Sequence, residues 1–454
     1  MERAVASMAG LARSCRALGA AASTSLQHFC TTTTPTYGRT SVYVKEASEA
    51  AFNILDFDPQ VEKAILNPDR EVKVNLVVPM DNGEVNMYDA YRVQHNNVLG
   101  PFKGGIIFHP AVNLENMRSL ASLNTWKFAL LNVQFGGSKG GVAVDPRTLT
   151  DREVEKLTRK YVQALQEVIG PRTDIPAPDI NTDERHMAWI FDQYSKLRGF
   201  TPAAVTGKPT WLHGIVGRDS AGGRGAAYST REFMTRTLRR KVAGSSFLIQ
   251  QGFGKLGSWT AQILQQELGA KIVGVSCSET AVYNENGLDI AALRAHVVQG
   301  GLLKDFAGGT GVPNDDNFLD LPADVLIPCA VDGTIHKDNV ARCLHFKAVV
   351  EAANSALTPD ADAVLREHGI PVLPDIYANG GAVIVSFFEW VQNNQNLQWE
   401  EDEVKRELDR YLTDAYNALL REQEQYGTSL SLRTAGYLVA LKRLQQAELV
   451  RGHS

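Results

Sequence analysis

At 454 residues, 44% of them hydrophobic and 21% charged, the chain exceeds the size at which a single hydrophobic core stops growing, so two domains are expected. A formal net charge of -5 argues against nucleic-acid binding driven by phosphate neutralisation, and no uninterrupted apolar run is long enough to cross a bilayer. The five cysteines, Cys15, Cys30, Cys277, Cys329 and Cys343, are scattered without C-x-x-C or Cys/His spacing, which suits a reduced, intracellular, metal-free protein.

Residues 1–42 differ from the rest. Arg3, Arg13, Arg16 and Arg39 lie among Ala, Ser and Thr, and after Glu2 no acid appears until Glu46. This is the composition of a mitochondrial transit peptide, shared by plastid addresses and some disordered tails. From Glu71 to Asn96, partial apolar alternation around Asp81-Asn82-Gly83-Glu84 predicts a β-hairpin. Asn113 opens a predicted helix through about Leu131. Thr150 with Glu153 forms a capping box ahead of Val154, Leu157, Tyr161, Leu165 and Val168, stopped by Gly170-Pro171. The first domain, residues 43–201, is therefore expected to be mixed α/β.

Beyond Gly207-Pro209 and SAGGRGA, short apolar segments alternate with helical ones: SFLIQ, KIVGVS, ADVLIP, FKAVVEAAN and GIPVLPDI. That alternation predicts a parallel, doubly wound sheet of Rossmann type over residues 202–427. Past Glu389 the pattern is helical, with Val404, Leu408, Leu412 and Tyr416 at four-residue spacing. A last amphipathic helix within residues 428–454 is expected to return to the first domain.

In SFLIQQGFGKLGSW, Gly252, Gly254 and Gly257 stand between a predicted strand and a helix. Gly252 suits a tight turn, Gly254 close approach of a pyrophosphate, and Gly257 close helix packing, with the helix N-terminus facing the phosphates. Two readings of the ribose contact are open. Glu279, near the end of the next strand, can take the hydroxyls of NAD; neutral Cys277 between serines, with Lys255 nearby, leaves room for the 2′-phosphate of NADP. NAD is the preferred expectation.

Lys103 in GPFKGGIIFHP, Lys127 in LNTWKFAL and Lys139 in FGGSKGGV lie in unusual settings. Glycines on both sides of a lysine let the backbone bend and let another group approach closely. Asn124 and Lys127 are three apart and share a helix face on which a carboxylate can bind. In DIPAPDINTDERHMAW two prolines stiffen the approach to Asp179, ahead of a helix expected to be capped near Thr182. Asn354 and Asn379 both follow predicted strands, at the ends where open α/β sheets bind ligands.

Assembled, these segments resemble the glutamate dehydrogenase branch of the glutamate/leucine/phenylalanine/valine dehydrogenases, from about Ala47 to the C-terminus. PFKGG, TWK, FGGSKGG, PAPD, TGKP, GRG, QGFGKLG, VEAAN, PDIYAN and SFFEWVQN occur in the family's order. The resemblance implies a substrate-binding and oligomerisation domain followed by an NAD(P)-binding domain, a cleft between them, and a homohexamer. It implies that Lys139 is the catalytic lysine and Asp179 the proton-shuttling carboxylate. Lys127 and Asn124 would meet the substrate α-carboxylate, Lys103 and Ser386 its side-chain carboxylate, and Pro178, Val383 and Asn354 would line the pocket. Gly223, Lys255, Cys277, Glu279 and Asn379 would join the three glycines around the nucleotide.

Oxidative deamination removes a hydride from Cα, adds water to the resulting iminium, and collapses the carbinolamine to a 2-oxo acid and ammonium. A lysine enclosed among positive charges gives up its proton more readily than a free one, and an aspartate can carry protons to and from nitrogen. A buried ammonium and a hydroxyl at the side-chain end favour glutamate and 2-oxoglutarate over alkyl amino acids. The chain departs from the family pattern at Ile107 (arginine), Gln134 (proline), Asn181 (glycine), Gly223 (a threonine supporting the cofactor) and Lys255 (asparagine). Gly223 and Lys255 are the evidence for an alternative, a weakly active binding subunit of a hetero-oligomer. A dehydrogenase for another amino acid is the third reading, opposed by Lys103 and Ser386.

Overall fold

The computed structural model describes residues 40–55, 57 and 59–451. The expected leader over residues 1–42 lies outside these, except for its last three, which open α1 (Thr40–Leu55). The chain divides into two compact units. Among the described residues, one spans Gly222–Asp375, and the other joins residues 40–221 to residues 376–451.

The discontinuous unit is built on a five-stranded sheet of order β1-β2-β4-β3-β5, from β1 (Arg70–Pro79), β2 (Val85–Asn96), β3 (Phe102–Phe108), β4 (Gly136–Val142) and β5 (Asp174–Pro178). β1 and β2 form the expected hairpin, with Gly83 at a positive φ in its turn. β3 runs parallel to both β4 and β5, and β2 antiparallel to β4. Successive side chains of a strand point to opposite faces. One face carries α3 (Leu114–Leu130), whose Met117 and Leu120 cluster with Tyr91, Val93 and Ile107. The other carries α4 (Asp151–Leu165) and α5 (Glu184–Arg198), whose Leu157 and Ile190 cluster with Ile106, Phe108 and Val142. The capping signals form as read: Asn113 accepts from the Asn116 amide, and the Thr150/Glu153 box closes in both directions. α5 is capped by Asp183 instead of Thr182, because the Thr182 hydroxyl is engaged by the Asp179 amide and the Ile106 carbonyl.

The C-terminal helices α11 (Gly381–Gln395), α12 (Glu401–Tyr426) and α13 (Leu432–Arg451) belong to this same unit. The stripe Val404, Leu408, Leu412 and Tyr416 is buried, α12 packs on α13, and α13 packs on α1 and α3. Arg443 donates to the carbonyls of Ala129 and Leu130 at 2.6 and 2.7 Å, satisfying the end of α3. The expected domain border at 201/202 thus moves to 221/222. Residues 376–427, expected with the nucleotide-binding domain, belong instead with the first, because their apolar faces are buried there.

The second unit holds a seven-stranded sheet of order β12-β11-β10-β6-β7-β8-β9. β6 (Ser246–Gln250), β7 (Lys271–Ser276), β10 (Val325–Pro328), β11 (Ala348–Val350) and β12 (Val372–Leu373) are the five expected parallel strands. β8 (Ala281–Tyr283) and β9 (Thr310–Val312) extend it in antiparallel pairing. Three residues each are too few for alternation to reveal. α7 (Lys255–Gln266) connects β6 to β7, and α6 (Ala221–Glu232) precedes β6. Among the described residues no helix is long and apolar enough to cross a membrane.

Candidate active site

Lys139 lies in the middle of β4, nearly buried, and its Nζ is 2.6 Å from Asp179 Oδ2. Its glycine frame has a steric cause. A Cβ at Gly137 would meet the Ala121 carbonyl of α3 at 2.3 Å, and one at Gly140 would meet the Tyr161 hydroxyl at 2.3 Å. Asp179 follows β5, with its amide held by the Thr182 hydroxyl at 2.7 Å and its Oδ1 accepting from the Ile180 amide at 2.9 Å. Its carboxylate fills the space above Gly105, where a Cβ would stand 2.2 Å from Oδ2. The second glycine of PFKGG therefore exists to admit Asp179.

Lys103 and Gly105 share the α3 face of the sheet with Gly137 and Lys139, since Lys103 is in register with Gly137. Lys103 is buried. Burial pushes its ammonium well below the usual lysine value, positive Arg92 and Arg218 push the same way, and Glu389 and Asp174 oppose them. Lys127 is buried on α3, and Asn124 donates to the Ser138 carbonyl at 2.9 Å, tying that helix to the residue before Lys139.

Ser386 on α11 is buried, with its hydroxyl 2.6 Å from that of Thr206. Pro178 and Val383 are partly exposed. Arg218, which no motif reading singled out, joins this group. Its Nε is buried with no hydrogen-bond partner among the described residues, and its charge interacts with Glu389, Asp219 and Asp179. An arginine in the loop between TGKP and SAGGRG was the only signal that could have revealed it. Asn181 has φ 57° and donates to the Phe108 carbonyl at 2.9 Å. It stands where the resemblance places a glycine, and among residues with a Cβ asparagine is one that enters a left-handed backbone most readily. Ile107 is fully buried under α3, in apolar surroundings that would leave an arginine unpaired.

In the second unit the left-handed turn residue is Gln251, at φ 49°, instead of Gly252. Gly252 is needed for a different reason: a Cβ there would meet Cys329 Cβ at 2.2 Å. Gly257 packs against the Gly252 carbonyl, as expected, and Gly254 caps α7 without a side chain. Lys255 is exposed at the start of α7. Cys277 is buried and turned inward, its Sγ 3.4 Å from the Thr280 carbonyl, whereas Glu279 is exposed beyond β7. A bare helix cap beside the end of β6 and an exposed carboxylate past β7 fit a dinucleotide. Gly223 is buried, and a Cβ would stand 2.5 Å from Trp259 Cβ and 2.6 Å from the Thr260 amide. Its bareness is a packing requirement between α6 and α7. Asn354 is exposed after β11 in this unit, while Asn379 precedes α11 in the other. Among the described residues no group of three or more His, Cys, Asp or Glu is placed to hold a metal ion.

A doubly wound unit with a dinucleotide turn, and a lysine–aspartate pair in a second mixed α/β unit, define a nicotinamide-dependent dehydrogenase. The chain belongs to the glutamate/leucine/phenylalanine/valine dehydrogenase family. Residues 214–452 match the model for that family, and residues 68–196 match the model of its dimerisation domain. The chain is 44% identical over 406 residues to glutamate dehydrogenase A2 of Halobacterium salinarum, covering 89% of this chain and 96% of that one. It superposes with TM-score 0.84 on hetero-hexameric glutamate dehydrogenase from Thermus thermophilus, in a leucine-bound form, at 35% identity, covering 90% and 96% of the two chains. Against glutamate dehydrogenase from Peptoniphilus asaccharolyticus the TM-score is 0.79 at 33% identity, covering 91% and 99%.

Proposed function

We propose that the chain is a glutamate dehydrogenase, catalysing the reversible oxidative deamination of L-glutamate to 2-oxoglutarate and ammonium. The observation that carries this reading is the Lys139 Nζ to Asp179 Oδ2 contact of 2.6 Å in the same unit as buried Lys103 and Ser386. The nicotinamide, when bound, accepts the hydride. The chain's own residues handle protons and carboxylates. At 2.6 Å one proton can pass from Lys139 to Asp179, leaving an amine that takes a proton from the attacking water, while Asp179 returns its proton to the departing nitrogen. Lys127 and Asn124 anchor the α-carboxylate, and Lys103 with Ser386 the side-chain carboxylate, along a wall that includes Pro178 and Val383.

NAD is the proposed cofactor, because Glu279 is exposed to meet ribose hydroxyls and a carboxylate there repels a 2′-phosphate. A homohexamer is supported by the exposed apolar residues Val77, Val85 and Met87 on the β1–β2 hairpin, where β1 is a sheet edge within the matched dimerisation domain. A mitochondrial address in residues 1–42 rests on their composition, and a reporter fused to them should enter mitochondria.

The purified chain should reduce NAD faster than NADP with L-glutamate, and far faster than with leucine, valine or phenylalanine. No reduction with glutamate refutes the proposal. Lys139→Ala should abolish turnover while leaving nucleotide binding nearly intact.

A further inference from the structure

A serine hydroxyl has one proton and rotates freely. To donate that proton to a substrate carboxylate, Ser386 must be held in one rotamer and accept a hydrogen bond from another donor. Thr206 is 2.6 Å away, fully buried, and its own amide donates to the Pro176 carbonyl of β5 at 3.1 Å. The two residues after it dock on the same helix as Ser386. The Gly207 amide donates to Glu389 Oε2 at 2.8 Å and the Lys208 amide to Oε1 at 3.3 Å. Lys208 Nζ then returns to Glu389 Oε1 at 2.7 Å and to the Val205 carbonyl at 2.6 Å, with neither charged side chain exposed. Glu389 lies three residues after Ser386, on one face of α11. On its other side the loop rests on Pro178: Gly207 has φ 87°, and a Cβ there would meet Pro178 Cδ at 2.4 Å.

We propose that Thr206, locked by the buried Lys208–Glu389 pair, is a positioning residue that orients Ser386 and thereby selects substrates with a side-chain carboxylate. The proposal rests on Ser386 belonging to the side-chain carboxylate subsite. A buried ion pair is seldom more stabilising than an apolar pair of the same shape. What this one provides is a fixed geometry between the loop and α11. Glu389 also opposes the burial that disfavours the charged forms of Lys103 and Arg218, so the same carboxylate offsets part of that burial at the subsite.

The measured quantity is the preference of the full chain with its cofactor for L-glutamate over L-norvaline, which has the same chain length without the carboxylate. As a ratio of kcat/KM values, this preference should fall about ten-fold or more in Thr206→Val, mainly through KM for glutamate, and return in Thr206→Ser. In a Ser386→Ala background, Thr206→Val should add nothing further. A preference that survives Ser386→Ala overturns the subsite reading and the proposal with it. A preference lost in Ser386→Ala but kept in Thr206→Val overturns the proposal alone, as does a Thr206→Val effect equal on both substrates.

Discussion

Arg92 and Asp174 form an ion pair with neither side chain exposed, on the face of the sheet opposite Lys103 and Lys139. Nε meets Asp174 Oδ2 at 2.8 Å and Nη2 meets Oδ1. Nη2 also donates to Ser138 Oγ at 2.8 Å, and Nη1 to the carbonyls of Gly104 and Gly105 at 3.2 and 3.3 Å. One guanidinium thus braces the peptide planes beside both site lysines. Asp174→Asn leaves that guanidinium without its counter-charge and should destabilise the protein by about 3–5 kcal/mol. Replacing both partners by leucine should cost less than the sum of the single changes. Urea-denaturation midpoints of the parent, Asp174→Asn, the two single leucine variants and the double leucine variant decide this.

With Lys103 in the proposed side-chain carboxylate subsite, substrate binding should depend on pH. Burial favours its neutral amine, whereas a bound carboxylate favours the ammonium, so binding takes up a proton. Affinity falls as pH rises through the lowered pKa. KM for glutamate should climb toward alkaline pH, by up to about ten-fold per pH unit beyond that point. Lys103→Met should raise KM throughout and flatten the climb, which steady-state kinetics from neutral to alkaline pH will show.

Gly223→Thr introduces the threonine that the family resemblance implies at this position but places its Cβ against Trp259 and the Thr260 amide. Overpacking of this kind costs about 1–3 kcal/mol. The variant should melt earlier than the parent and bind NAD no more tightly. A variant of unchanged Tm with tighter NAD binding would contradict the packing explanation.

His95 is buried on β2 with Nδ1 2.9 Å from the Thr125 hydroxyl, and burial lowers its pKa from 6.5 to about 4. Between these values the unfolded chain binds more protons than the folded one. This group's contribution is therefore complete above about pH 6.5 and is lost as pH falls toward 4, by roughly 3 kcal/mol in all. His95→Gln should show a shallower loss of urea stability between pH 7 and pH 5 than the parent.

Lys139, Asp179 and Lys103 are legible in the sequence because each sits where other groups approach closely, and close approach leaves glycines and prolines that stand out along the chain. Arg92, Asp174, Thr206 and Glu389 left no such trace. Their partners lie between 12 and 182 residues away, and each is an ordinary polar residue in its own segment. The capping signals at Asn113 and Thr150 are local and legible in the sequence, whereas Thr182 differs from the expected cap because its partner, the Ile106 carbonyl, is 76 residues away. The domain border was misplaced for a related reason. Periodicity shows that Val404, Leu408, Leu412 and Tyr416 bury one face, but not against which part of the chain they do so.

That Gly222–Asp375 interrupts the other unit has a consequence for synthesis on the ribosome. The interrupting segment carries all the strands of its own sheet, so it can fold while the later helices are still being made. The interrupted unit must wait: the carbonyls of Ala129 and Leu130 at the end of α3 do not meet the Arg443 guanidinium until that residue emerges, and Ser386 reaches its loop only after Thr206 has been out for 180 residues. A nascent chain therefore exposes the bed of α13 longest. Premature termination before Leu432 should yield a product whose nucleotide-binding half is folded and whose amino-acid-binding half is a substrate for proteases and chaperones.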